Sequence, residues 1–152
     1  MDTKIKKYSL IRSFKDSLPT QLLQAREAAM SRFRPMLRRH ELTEQRWRVI
    51  RAIHEHGEID ASELARRSFL LSPSLNRILK YLEIENIVLR SGDTNDLRRS
   101  VFFLTDKGRK IITDVAPETE NLYEEIESLL GTEKFQQILT LLKEFSIKIN
   151  KE

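Results

Sequence analysis

Over most of the chain, apolar residues recur at the three- and four-residue spacing typical of amphipathic helices. The first such pattern begins near Thr20 and places apolar residues at Leu22, Leu23, Ala25, Ala29, Met30, Phe33 and Leu37. Pro19 suits the first turn of this helix, whereas Pro35 predicts a kink near its end. Residues 1–19 are polar and basic, and we interpret them as an arm that leads into the helix.

A second helix is predicted from its flanking residues. Thr43 can accept a hydrogen bond from the free N–H groups of a first turn, and Gly57 can adopt the left-handed conformation that ends many helices. Between them, Trp47, Ile50 and Ile53 share one helical face. We therefore expect a helix between Thr43 and Gly57.

Two closely spaced start signals follow. Asp60 and Glu63 have the spacing of a capping box and predict a short helix. Ser72 is interpreted as the cap of the next helix, because Pro73 follows it and proline favours the first helical position. That helix is predicted to run to about Glu85, with Leu75, Ile78, Leu79 and Leu82 on its apolar face.

The spacing then changes to that of β structure. Ile87–Leu89 and Val101–Leu104 are short β-type runs, and the polar residues 91–99 between them contain Gly, Asn and Asp. Two such runs around a turn-rich loop predict a β-hairpin with an extended tip.

Two helices are predicted to close the chain. Thr105 can cap a helix that continues to Leu130, with a bend at Pro117. Gly131 and Thr132 are interpreted as the stop of that helix and the cap of the last one. The last helix carries apolar residues on one side, at Phe135, Ile138, Leu139, Leu142, Phe145 and Ile149. This is more apolar surface than one lobe can cover, so we expect a homodimer.

The order of these elements predicts a mainly α fold: a winged helix-turn-helix with a two-stranded β wing and with N- and C-terminal dimerisation helices. We expect three segments within a single intertwined domain. Residues 1–57 form an N-terminal arm and helices, residues 58–108 form the DNA-binding lobe, and residues 109–152 form C-terminal dimerisation helices.

Composition excludes several classes of protein. The absence of cysteine rules out disulfides, thiolate zinc sites and cysteine redox sensing. No run approaches the roughly 20 apolar residues of a membrane span, and no secretion signal is recognisable, so we expect a cytoplasmic protein. We find no glycine-rich phosphate loop, cysteine nucleophile or paired-carboxylate motif, and we predict neither enzymatic activity nor a cofactor.

The net charge of +4 is unevenly distributed. Residues 1–57 carry 13 Lys and Arg against 6 Asp and Glu, whereas residues 58–108 carry 8 of each. A modest basic excess is compatible with nucleic-acid binding and equally with ordinary solubility.

The helix predicted from Ser72 carries the candidate DNA-reading residues. A helix whose apolar face is fixed in a core presents its other face outward, and the major groove of DNA admits such a helix. The candidates are Ser72, Ser74, Asn76, Arg77 and Lys80, with Arg98 and Arg99 in the hairpin loop reaching the minor groove. The alternatives are a merely solvated face and a winged-helix adaptor that binds protein.

The wing region resembles that of the MarR family. Residues 93–100, DTNDLRRS, followed by LTDKG at 104–108, are similar to the Asp-x-Arg wing and Leu-Thr-x-x-Gly motifs of that family. LQAREAAM at 23–30, FRP at 33–35 and LTEQRWRVI at 42–50 resemble more narrowly a subgroup that represses homoprotocatechuate (4-hydroxyphenylacetate) degradation operons. The resemblance covers about residues 20–150.

The resemblance implies a homodimer whose first and last helices pair and whose two lobes read palindromic double-stranded DNA, the operator. It makes residues 72–77 the start of the recognition helix and Arg98 the wing-tip arginine. It makes Asp96 the residue that braces the wing by pairing with a nearby arginine. Where the subgroup usually has glutamine, this chain has Arg46, so its ligand preference could differ.

The resemblance also implies a small aromatic carboxylate bound between the dimerisation helices and the DNA-binding lobe. A carboxylate favours arginine, and a ring favours aromatic or methionine neighbours. The candidates are Arg26, Met30, Phe33, Arg34, Arg46 and Trp47, with Arg26 the first choice for the carboxylate. Several of these could be core residues, and a regulator of a different ligand or of a metal remains an alternative, since His40, His54 and His56 occur. We predict no metal site.

Overall fold

A computed structural model of the protein describes residues 11–92, 95 and 99–150, and most of these residues are helical. A 3-10 turn at Phe14–Asp16 precedes the first helix. The α-helices are α1 Leu18–Arg39, α2 Glu44–His56, α3 Ala61–Ser68, α4 Ser72–Ile84, α5 Asp106–Leu130 and α6 Thr132–Ile149. The strands are β1 Ile59–Asp60, β2 Val88–Ser91 and β3 Val101–Leu104. The predicted winged helix-turn-helix order, α3, α4, β2 and β3, is confirmed.

Three predicted helix caps are confirmed by their hydrogen bonds. The Thr43 side chain accepts from the N–H of Arg46 at 3.2 Å, and the Thr105 side chain accepts from the N–H of Gly108 at 3.0 Å. Asp60 accepts from the N–H of Glu63 at 2.9 Å. These bonds satisfy donors that have no partner inside the helix, and they fix where α2, α3 and α5 begin.

Two predicted caps were wrong by one residue. Ser72 is already helical, and the extended residue before α4 is Leu71, which makes no side-chain cap bond. Likewise Thr132 is the first residue of α6, and the cap position is Gly131, with φ 85°. In both cases the backbone conformation of the preceding residue decides where the helix begins.

Pro35 and Pro117 lie inside continuous helices, α1 and α5. Directly after Pro35, Met36 and Leu37 are buried and attach the end of α1 to the core. Near this end, Arg39 and His40 contact Glu118 of α5, at 2.5 Å and 2.7 Å. These two contacts connect the first helix to the fifth.

The sheet has three strands, in the order β1-β3-β2, and every pair is antiparallel. The predicted two-stranded wing, β2 and β3, is therefore confirmed, and β1 adds a third strand that was not predicted. Ile59 of β1 pairs with Phe102 of β3, and Arg90 of β2 pairs with the same residue from the other side. A two-residue strand has no alternation that a sequence can display, so β1 could not be predicted.

The core lies between α2, α3, α4 and the sheet, with the ends of α1 and α5 closing it. Its fully buried side chains include Val49, Ile50, Ile53, Leu64, Leu75, Leu79, Leu82, Val88 and Phe102. The core thus holds the outward face of α4 in a fixed orientation.

Helix α6 contributes no buried residue within one chain. Its exposed apolar side chains are Ile138, Leu139, Leu141, Leu142, Phe145, Ile147 and Ile149. The beginning of the described chain also exposes Ile11, Phe14, Leu18 and Leu23. In the part of the chain that the structure describes, no helix is long and apolar enough to cross a membrane.

Candidate nucleic-acid interface and ligand cavity

Helix α4 turns a polar face outward because its apolar face is buried in the core. Asn76, Arg77 and Lys80 are exposed, Ser72 is exposed at the start of the helix, and Ser74 is half-buried. The predicted DNA-reading residues of α4 therefore share one accessible region.

The turn before α4 fixes its direction. Phe69 adopts the left-handed conformation, with φ 54°, and the N–H of Leu70 reaches back to the carbonyl of Ala65 at 3.0 Å. This closes α3 and turns the chain into α4. Phe69 and Leu71 remain exposed on the turn.

The cations around α4 differ in whether an acidic group neutralises them. Arg66 and Arg67 both contact Glu63, at 2.5 Å and 2.6 Å. Hydrogen bonds from these two guanidinium groups lower the pKa of Glu63 to about 2. Arg77 and Lys80 make no ion pair within residues 11–92, 95 and 99–150. No acidic group of the described residues therefore competes with an external anion for these two cations.

Part of the predicted wing lies outside the described residues, including Asp96 and Arg98. Arg99 is exposed at the base of the loop. Gly92 has φ 110°, and a Cβ atom there would lie 2.7 Å from the carbonyl oxygen of Arg99. The two arms of the hairpin therefore approach closely at a position that only glycine accommodates. The roles of Asp96, Arg98 and Arg99 stay predictions.

The structure contains a cavity of about 210 Å³ between α1, α2 and α5. Its lining residues are Arg26, Met30, Phe33, Leu37, Glu44, Trp47, Arg48, Arg51, Thr119 and Tyr123. The rings of Phe33 and Tyr123 pack with centroids 5.3 Å apart. Four of the six predicted ligand-binding residues, Arg26, Met30, Phe33 and Trp47, are brought together here.

The predicted residues Arg34 and Arg46 do not line this cavity. Arg34 contacts Glu44, and it contacts Glu27 at 2.8 Å, whereas Arg46 lies on the other side of α2, against α4. Successive positions on a helix point in different directions, so Arg46 and Trp47 face different neighbours.

The guanidinium group of Arg26 also forms ion pairs, with Glu44 at 2.5 Å and with Glu27 at 3.1 Å. Burial raises the pKa of Glu44, but hydrogen bonds from Arg34 and Arg26 outweigh this and leave the pKa below its usual value. The hydrogen bond from Arg34 is the main cause of the lowered pKa of Glu27. The cavity therefore has an ionised carboxylate, Glu44, at its Arg26 end.

Two arginines that were not among the predicted ligand-binding residues, Arg48 and Arg51, line the cavity from α2. The Nε atom of Arg48 is buried without a hydrogen-bond partner, and its guanidinium makes no ion pair among the described residues. Arg51 pairs with Glu55 at 3.0 Å, but this pair is exposed to solvent. The helical spacing from Trp47 to Arg51, four residues, was the available signal.

A smaller cavity of about 190 Å³ adjoins the first and shares Trp47, Arg51, Thr119 and Tyr123 with it. His54 lines this second cavity, whereas the exposed His56 contacts the carbonyl oxygen of Glu58 at 2.6 Å. Within the described residues, no group of three or more histidine or acidic side chains is placed to hold a metal ion.

Comparison with known proteins agrees with the winged helix-turn-helix fold described above. The MarR family model matches residues 42–100. The chain is 45% identical, over 130 residues, to the homoprotocatechuate degradative operon repressor of Escherichia coli, covering 86% of this chain and 88% of that protein. It is 40% identical, over 130 residues, to the HTH-type transcriptional regulator FarR of Neisseria gonorrhoeae, covering 86% and 89%.

A solved structure, that of NadR in complex with 4-hydroxyphenylacetate, superimposes with a TM-score of 0.81 at 36% identity. The match covers 88% of this chain and 98% of NadR. Because its similarity to these regulators extends over nearly their whole length, the chain belongs to the MarR family of transcriptional regulators.

Proposed function

We propose that this protein is a homodimeric repressor that binds a palindromic DNA operator and releases it when a small phenolic carboxylate enters the cavity between α1, α2 and α5. The observation that carries this proposal is that one helix, α2, both supplies arginines to the cavity and packs against the lobe that is proposed to read DNA. Relatives at 40–45% identity are transcriptional regulators, and one is named as a repressor of an aromatic degradation operon.

Dimerisation follows from the exposed apolar side chains of α6 and of the segment before and within α1. Burial of apolar surface contributes about 25 cal/mol per Å², so an exposed stripe of this length favours association. A second copy offers a matching stripe on the same two helices. The two α4 helices of such a dimer would meet successive major grooves of a palindrome.

DNA binding is supported by the free cations of α4. Arg77 can form paired hydrogen bonds to guanine and Asn76 to adenine, while Lys80 suits a phosphate. Arg98 and Arg99 would extend the contact into the minor groove. Because Arg66 and Arg67 share the single carboxylate of Glu63, which cancels one of their two positive charges, we expect these two to contribute less.

The cavity suits a single-ring acid with a phenolic hydroxyl. Its volume of about 210 Å³ is below the roughly 300–1,000 Å³ of pockets for drug-sized ligands. Met30, Phe33, Trp47 and Tyr123 offer apolar and aromatic surface to a ring. NadR was solved with such an acid, 4-hydroxyphenylacetate.

The two ends of the cavity differ in charge, which predicts an orientation for the ligand. Arg48 and Arg51, one turn apart on α2, would receive the carboxylate, because their guanidinium groups are less neutralised than that of Arg26. At the other end, the ionised Glu44 can accept a hydrogen bond from a phenolic hydroxyl.

Helix α2 connects the cavity to the DNA-reading face. It packs on α3, α4 and β3 within the lobe and on α1 and α5 outside it. A ligand that binds better to one position of α2 relative to α1 and α5 therefore shifts the spacing of the two lobes. Tenfold weaker DNA binding needs only about 1.4 kcal/mol of coupling, and DNA must weaken ligand binding by the same factor.

The test begins with duplexes that the protein selects from a random-sequence library. Fluorescence anisotropy should show tighter binding to a selected duplex than to a random one, with affinity that falls steeply as salt rises. Adding 4-hydroxyphenylacetate should release the selected duplex. Equal affinity for both duplexes at physiological salt would contradict the regulator proposal and favour the protein-binding adaptor. DNA binding that no phenolic acid weakens would contradict the ligand proposal alone.

A further inference from the structure

A second groove, of about 370 Å³, lies between the start of α2 and the exposed face of α4. Its lining residues are Thr43, Gln45, Arg46, Ser74, Arg77, Ile78 and Tyr81. The lining contains two guanidinium groups, three hydroxyl groups and no acidic side chain. It is separate from the cavity of about 210 Å³ between α1, α2 and α5, the aromatic cavity, which shares none of these residues.

Arg46 is held in this groove by an aromatic ring instead of by a carboxylate. Its Cζ atom lies 3.5 Å from the centroid of the Tyr81 ring, well inside the roughly 6 Å limit of a cation–π contact. Among the described residues it forms no ion pair. The ring face fixes the guanidinium plane while leaving its N–H groups free to donate.

Glu44, the acidic residue nearest to Arg46 in sequence, cannot neutralise it, because Glu44 faces the other cavity and is held there by Arg26 and Arg34. The backbone around Arg46 is fixed as well, since its N–H donates to the capping side chain of Thr43 at 3.2 Å. The groove thus presents two cations that have no ion-pair partner among the described residues, the fixed Arg46 from α2 and the exposed Arg77 from α4.

We propose that this groove receives a phosphate of the DNA backbone, and that Arg46 is a DNA-contacting residue that lies outside the recognition helix. This proposal rests on the proposed function. The groove opens beside Ser74 and Arg77 of α4, so a helix that enters the major groove brings it against the flanking sugar-phosphate chain. An arginine donates two parallel hydrogen bonds to a phosphate, and the Thr43 and Ser74 hydroxyls can add one each.

In this proposal Arg46 contacts DNA, whereas the sequence predicted that it would bind the aromatic ligand. A phosphate contact carries no sequence information, so it strengthens binding to every duplex and fixes the register of α4. Tyr81 is a positioning residue, because it acts on DNA only through Arg46.

The test is Arg46→Gln, measured by fluorescence anisotropy on a random-sequence duplex and on a selected duplex over a salt series. We expect both affinities to fall by about tenfold with an unchanged ratio between them. The slope of log affinity against log salt should become shallower by about 2 per dimer, since each lost phosphate contact on B-DNA removes about 0.9.

Three variants control this measurement. Arg32→Gln removes the same charge from α1, where Arg32 lies beside Glu125 of α5, and should change neither affinity nor slope. Tyr81→Phe keeps the ring and should behave as wild type. Tyr81→Leu should weaken binding by a few fold while keeping the slope, because the charge remains and only its fixed position is lost. Thermal melting of each variant separates loss of binding from loss of fold.

The outcomes are distinguishable from those of the proposed function. If folded Arg46→Gln keeps wild-type affinity and slope while the wild type binds DNA, this inference is wrong and the regulator proposal stands. If Arg46→Gln keeps its DNA affinity but loses its response to 4-hydroxyphenylacetate, Arg46 belongs to the ligand site and the inference is again wrong. A wild type whose binding to duplexes does not depend on salt overturns both.

Discussion

The strongest test of the ligand site concerns which arginine receives the carboxylate. Arg26 precedes Met30 and Phe33 by one and two turns on one helix face, and sequence alone therefore favours it. In the structure its guanidinium already contacts Glu44 and Glu27, whereas the buried Nε of Arg48 has no partner. We therefore compare Arg48→Gln and Arg51→Gln with Arg26→Gln.

The expected losses of ligand affinity differ enough between these variants to show which arginine receives the carboxylate. A hydrogen bond to a charged group contributes about 1.5–3 kcal/mol, so losing it should weaken ligand binding by roughly 10- to 150-fold. We expect this for Arg48→Gln and Arg51→Gln. Arg26 is about half exposed and acts mainly on Glu44, and exposed ion pairs contribute about 0–1 kcal/mol. Arg26→Gln should therefore cost no more than roughly fivefold.

The assay is a calorimetric titration of the free dimer with 4-hydroxyphenylacetate and 3,4-dihydroxyphenylacetate. Arg32→Gln removes the same charge from a side chain that does not line the cavity and serves as the matched control. If Arg26→Gln abolishes binding while both α2 variants retain it, the ion pairs of Arg26 open in the complex and our reasoning from the free structure fails. If the wild type binds no phenolic acid with a dissociation constant below about millimolar, the ligand proposal is wrong.

Four further outcomes are predicted. Arg98→Ala should weaken duplex binding strongly without lowering the melting temperature, because the sequence predicts Arg98 at the tip of the hairpin loop, where loss of a side chain leaves no cavity; unchanged anisotropy would show that the wing is misassigned. Glu63→Gln should raise duplex affinity and steepen its salt dependence, because it releases Arg66 and Arg67; an unchanged salt slope would count against this. Leu142→Glu places a charge on the exposed apolar stripe of α6, and light scattering should then show a monomer; a dimer of wild-type stability would contradict our dimer surface. Gly108→Ala should lower the free energy of unfolding by about 1–3 kcal/mol in urea titration, because its Cβ would lie 2.4 Å from the carbonyl oxygen of Ile87; wild-type stability would mean that α5 can move aside.

Much of the fold could be predicted because the signals are local. The caps at Thr43, Asp60 and Thr105 each act within three residues, and the apolar spacing of α4 sets which side chains are buried. The candidate reading residues on α4 followed from the same periodicity. These features depend on neighbours in sequence, so the sequence displays them.

Other features depend on partners that are distant in sequence. The strand Ile59–Asp60 exists only because it pairs with β3, more than 40 residues later. Tyr123 and Thr119 reach the aromatic cavity from α5, and no pattern near Trp47 indicates that they do. The contact between Arg46 and Tyr81 joins two helices and places Arg46 in the groove between α2 and α4 instead of in the aromatic cavity.

By itself, the sequence determined the helices, their order, the polar face of α4 and the presence of arginines among rings in the first two helices. Only the tertiary structure decided which of those arginines are free. Arg26 and Arg34 meet Glu44, 18 and 10 residues away, whereas Arg48 has an unpartnered buried Nε and Arg46 meets a ring. The reason is physical: the Coulomb energy and the hydrogen bonds of a charged group depend on its distance to other charges in space, and that distance is set by how the helices pack.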